Sequence, residues 1–78
     1  MDNFKKVLDL LTVNEDVVLI YNDNSYIIQN VYNIKGEKIG YKFNDIKYKD
    51  LDYLLRTAFI DNVVLKDIIL KATDVYAN

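Results

Sequence analysis

Three observations predict an α+β fold: a single small domain over residues 1–78, of order α-β-β-β-α-α, with a three-stranded antiparallel meander packed by helices. The hydrophobic period changes from helical to alternating and back to helical along the chain. Clusters of Asn, Asp and Gly punctuate the changes. A length of 78 residues leaves room for one core only.

The first helix is expected over residues 3 to 12. Phe4, Val7, Leu8 and Leu11 recur at i, i+3, i+4 and i+7, and Asp2 or Asn3 can cap the free N–H groups at its start. Asn14-Glu15-Asp16 then suits a turn. Residues 17 to 21, Val-Val-Leu-Ile-Tyr, read as a strand that is apolar on both faces. Asn22-Asp23-Asn24-Ser25 forms a hairpin loop, because these side chains bond their own backbone and tolerate left-handed conformations. Tyr26 to Ile34 is the second strand, Lys35-Gly36 a tight turn, and Lys38 to Phe43 the third strand. In the third, Ile39, Tyr41 and Phe43 alternate with Lys38, Gly40 and Lys42. A glycine inside a strand marks a bulge or a close approach, so Gly40 is singled out.

Beyond Asn44-Asp45, Leu51, Leu54, Leu55, Ala58 and Phe59 give an amphipathic helix over roughly residues 49 to 60. Ile46 is placed to staple its first turn. After Asp61-Asn62, a last helix is marked by Leu65, Ile68, Ile69, Ala72 and Tyr76. Val63-Val64-Leu65 reads alternatively as a short strand.

The residue inventory closes off several chemistries. The chain has no cysteine and no histidine, which removes disulfides and any metal site built on those ligands. Ser25 is the single serine; it lies in a turn, with no histidine to activate it. Two glycines, Gly36 and Gly40, do not make a phosphate-cradling loop. Asn22-Asp23-Asn24 lacks the glycine and glutamate of a calcium loop, and turn formation explains it. Asp50, Asp52, Glu15 and Glu37 read as surface and helix-end charges. No catalytic residue, cofactor or metal is expected. The start of the chain lacks a signal-peptide apolar stretch, and the longest apolar run is too short to span a bilayer, so a cytoplasmic protein without a membrane partner is expected.

Binding remains as the available class of function. On the second strand, Tyr26, Ile28, Tyr32 and Ile34 oppose Ile27, Gln29, Val31 and Asn33. If helices cover only the first of these faces, Val18, Ile20, Ile27 and Val31 form an exposed apolar patch. Gln29, Lys38 and Lys42 would supply its polar surround, the composition of a protein-binding surface. Cover by a helix on that face as well is the competing reading. The outer face of the second helix adds Tyr53 and Arg56, residue types enriched at interface hot spots; the alternative there is a solvated helix face. The net charge of −2 argues against direct nucleic-acid binding, which draws on a basic excess. That reading is the runner-up, together with a homodimer that buries sheet edge or sheet face.

The element order, the short length, the acidic balance and the absence of Cys and His resemble small phage-encoded anti-CRISPR proteins that block type II Cas9 nucleases. Nine lysines against one arginine, with abundant Asn, Ile and Tyr, add the vocabulary of an AT-rich genome. Residues 3 to 11, 17 to 21, 26 to 43 and 49 to 60 match that architecture element for element. The resemblance implies a phage or mobile-element inhibitor of a host protein, with a CRISPR–Cas effector as partner in the host cytoplasm. DNA mimicry is not implied, since Lys35, Lys38, Lys42, Lys47 and Lys49 nearly offset the carboxylates. A mixed polar and apolar interface is, and no functional residue carries over.

Overall fold

The computed structural model describes residues 2–78 and has the predicted α+β class. Helix α1 (Asn3–Thr12) is capped by Asp2, whose side chain accepts from the Phe4 and Lys5 N–H groups. Its other end closes in a Schellman arrangement: Glu15 N–H donates to Leu10 O at 3.0 Å and Asn14 N–H to Leu11 O at 3.1 Å. Asn14 takes the left-handed φ of 63° that this ending requires. Strands β1 (Val17–Tyr21), β2 (Asn24–Tyr32) and β3 (Lys38–Phe43) form the expected meander.

The sheet is wider than the sequence pattern suggests. Strand β4 (Ile46–Tyr48) pairs with β3, and β7 (Asp74–Ala77) pairs with β1, giving the antiparallel order β4-β3-β2-β1-β7. A separate hairpin, β5 (Phe59–Ile60) and β6 (Val63–Val64), lies between helices α2 (Leu51–Thr57) and α3 (Leu65–Lys71). The second helix is therefore shorter than the span 49 to 60. Ala58 leaves it with extended backbone (φ −73°, ψ 143°), and Phe59-Ile60 pair instead with Val63-Val64. Tyr76 belongs to β7 rather than to the last helix. Ile46 sits in β4, largely exposed, rather than stapling a helix start. No described helix is long and apolar enough to cross a membrane.

One turn type recurs at three hairpins. Asn22-Asp23, Asn44-Asp45 and Asp61-Asn62 each place two consecutive residues at φ between 49° and 66°, as a two-residue type I′ turn demands. Asn and Asp tolerate this region better than other side chains, and glycine better still. Asp23→Gly is accordingly expected to raise the unfolding free energy by about 0.5 kcal/mol, measurable as a shift in the urea midpoint.

All three described helices cover one face of the sheet. The core joins Val17 and Leu19 of β1, Ile28 of β2, Phe43 of β3 and Val75 of β7 to Val7, Leu11, Leu54, Leu65, Ile68 and Ile69 of the helices. The shortest dimension, 19 Å, accommodates one sheet and one helical layer. Asn3 ties the first and last helices together by donating to Ile69 O at 3.2 Å and Ala72 O at 2.9 Å at the end of α3, where Ile69 O also accepts from Ala72 N–H at 3.3 Å. Thr73 N–H then donates to Ile20 O at 2.8 Å, which starts β7 along β1.

Candidate functional site

Strand alternation fixes which residues lie opposite the helices. Val18 and Ile20 alternate with the core residues of β1. Across the ladders, Val18 faces Ile27 and Tyr76, Ile20 faces Ser25 and Asp74, Gln29 faces Lys42, and Val31 faces Gly40. None of the described helices covers this side. Val18 is nevertheless only 5% exposed, although it takes no part in the helix-side core. Its cross-strand neighbours Ile27 and Tyr76 flank it, and these remain 39% and 43% exposed. Gln29 is exposed, and Val31 and Lys42 are half-buried. The result is an apolar strip across β7, β1 and β2 with a polar and lysine margin on β3 and β4.

One residue placed on this region by alternation, Lys38, lies elsewhere. The β2–β3 register shifts between Val31 and Tyr32, so that Val31 pairs with Gly40 but Tyr32 pairs with Lys38. Ile39 is the extra residue of this bulge, and a bulge reverses the facing of whatever precedes it. Lys38 therefore turns to the helical layer. Its Nζ donates to Leu11 O at 3.0 Å, at the carbonyl end of α1, and lies 4.5 Å from the centre of the Tyr41 ring. Ile39, expected beside Tyr41 and Phe43, is 54% exposed instead. Tyr53 and Arg56 are exposed on α2, where they line a shallow recess together with Lys47, Lys49 and Asp50 at the β4–α2 junction. Arg56 Nε donates to Asp52 Oδ2 at 2.8 Å, and the Tyr53 ring lies 6.2 Å from that of Tyr48.

Gly40 forms the floor of a feature that alternation did not reveal. The backbone of Tyr48 and Lys49 crosses directly over it, so a Cβ here would collide with Tyr48 O and lie 3.2 Å from Lys49 Cα. Beside this crossing is a cleft of about 340 Å³, lined by Val31, Ile39, Gly40, Tyr41, Lys47 and Lys49. Val31 and Gly40 also belong to the uncovered face, so strip and cleft are continuous. Sequence reasoning missed Lys47, Lys49 and Tyr76 as contributors to this surface. The alternation in Ile46-Lys47-Tyr48 after an Asn-Asp pair, and in Asp74-Val75-Tyr76-Ala77, was the available signal.

The electrostatics of the surface are uneven. Lys42 and Lys47 are directly opposite one another on β3 and β4, an arrangement that repels. Asp45 lies 3.9 Å from Lys42 Nζ but is almost fully solvated and offsets little of this. On the helical layer, a hydrogen bond to Asp9 raises the pKa of the Lys5 ammonium above its ordinary value. Among the described residues, no three His, Cys, Asp or Glu side chains gather where they could hold a metal ion. No family model, curated protein or solved structure matches the chain, so its function is argued from this surface.

Proposed function

We propose that the chain is a non-enzymatic protein-binding module that docks a target on the uncovered sheet face, acting as a phage or mobile-element inhibitor of a host protein. The architectural resemblance makes a CRISPR–Cas effector nuclease the first target to test. The observation that carries the reading is the asymmetry of the sheet. One face is buried under three helices, while the other presents Ile27 and Tyr76, with half-buried Ile20, around the enclosed Val18 in adjacent strands with a polar margin. An apolar centre with a polar rim is the usual anatomy of a protein interface.

The test is affinity capture from a low-GC bacterial lysate with three baits, each captured protein being identified by mass spectrometry. The native chain and a Leu70→Asp control, altered on the exposed side of α3, are expected to retain one common partner. The Ile27→Asp/Tyr76→Asp double variant is expected to lose it. Capture unaffected by the double variant would move the interface off this face. A partner that is not a nuclease effector, or an effector whose DNA cleavage continues at saturating native chain, would reject the anti-CRISPR form.

A further inference from the structure

We infer that the cleft beside Gly40 receives an acidic segment of the partner protein, an aliphatic or aromatic side chain entering the cleft and adjoining carboxylates meeting Lys42, Lys47 and Lys49. The inference rests on the protein-docking reading and names the chemistry of the partner. Three observations support it. Residues 35–49 hold five lysines against Glu37 and Asp45, a local charge of +3; the rest of the chain holds four lysines and Arg56 against ten carboxylates, a charge of −5. Two lysines of that stretch, Lys47 and Lys49, line the cleft, and a third, Lys42, lies directly opposite Lys47 across the ladder. An incoming carboxylate would relieve the repulsion of that opposed pair. The cleft itself is lined partly by Val31 and Ile39, which suit a hydrocarbon side chain.

A nucleic-acid strand fits the same surface less well. Its phosphates would extend beyond three lysines toward a body of opposite preference, and its affinity scales with the number of phosphates neutralised. Arg56, the one residue able to grip phosphate with a planar fork, has its Nε engaged by Asp52.

Selection of a random phage-displayed peptide library on the purified chain tests this, followed by fluorescence polarisation with the enriched peptides. Enriched sequences are expected to set Asp or Glu beside an aliphatic or aromatic residue and to bind more weakly as salt rises. The Lys47→Gln/Lys49→Gln variant, altered at exposed side chains, is expected to lose about tenfold in affinity. Neutral or basic consensus peptides would overturn the inference, as would affinity indifferent to that variant. So would an oligothymidine probe that displaces the peptides and is itself lost in the variant. Peptides abolished by Ile27→Asp but indifferent to the lysine variant would overturn this inference and leave the docking face standing. Absence of any enrichment would overturn both.

Discussion

Phe43→Ala is expected to lower the unfolding free energy by about 3–5 kcal/mol, the range for deleting a buried aromatic side chain. Phe43 is among the largest fully enclosed side chains, at 2% exposure, and its ring lies 6.3 Å from that of Tyr26 on the helix-facing side of the sheet. A domain of this size is stable by roughly 4–12 kcal/mol at typical values per residue, so the variant would be marginal. On the opposite side of the same sheet, Ile27→Asp is expected to cost under about 1 kcal/mol, through lower strand propensity and the loss of a half-exposed contact with Val18. Urea denaturation of the two variants measures the difference directly. Equal losses would mean that the second face is packed in the free protein, and the docking reading would fail with it. A large loss at Phe43 alone identifies one face as structure and the other as surface.

How much of this was legible in the sequence depended on the length of each element. Helix α1 and the meander of β1 to β3 repeat their periods long enough to be read, and Asp2 caps where an acidic residue before an apolar stripe suggested. Strands β4 to β7 are two to four residues long, too short to establish a period. Ala58, Phe59 and Ile60 extended the apolar pattern of α2, so the helix was overrun into a hairpin. The Asp61-Asn62 pair matched Asn22-Asp23 and Asn44-Asp45 and was the signal that separates them. Tyr76 fell in phase with Ala72 on a helix. Its true place was set by pairing with Val18, far away in sequence, which local pattern cannot report. At the site, Val18, Ile27, Gln29, Val31 and Lys42 were placed on one face by simple alternation, and the structure groups them there. Lys38 departs from simple alternation for a physical reason: the register shift between Val31 and Tyr32 leaves Ile39 unpaired and reverses the facing of the residue before it.

Gly40→Ala is expected to destabilise the chain by about 2 kcal/mol, within the range for forced overpacking. The nearest atoms to the added methyl would be Tyr48 O, Tyr48 C and Lys49 Cα, all of them backbone, so no side-chain rotation can relieve the collision. The junction between β4 and α2 must move, carrying Lys47 and Lys49 with it. Gly36→Ala provides the contrast. Nothing lies within 4 Å of a Cβ there, and its cost arises from a φ of 83°, about 1 kcal/mol. Chemical denaturation gives the two magnitudes, and amide NMR shifts give their reach. Those of Gly36→Ala should remain within the β2–β3 turn, while those of Gly40→Ala should extend to Tyr48, Lys49 and the first turn of α2. A Gly40→Ala variant as stable as the native chain would show that the crossing is loose in solution. The cleft would then lack the fixed wall that holds its two lysines in place. If the cost is as large as expected, the glycine serves the surface as well as the fold, because the same close crossing that excludes a side chain also positions Lys47 and Lys49 beside the uncovered face.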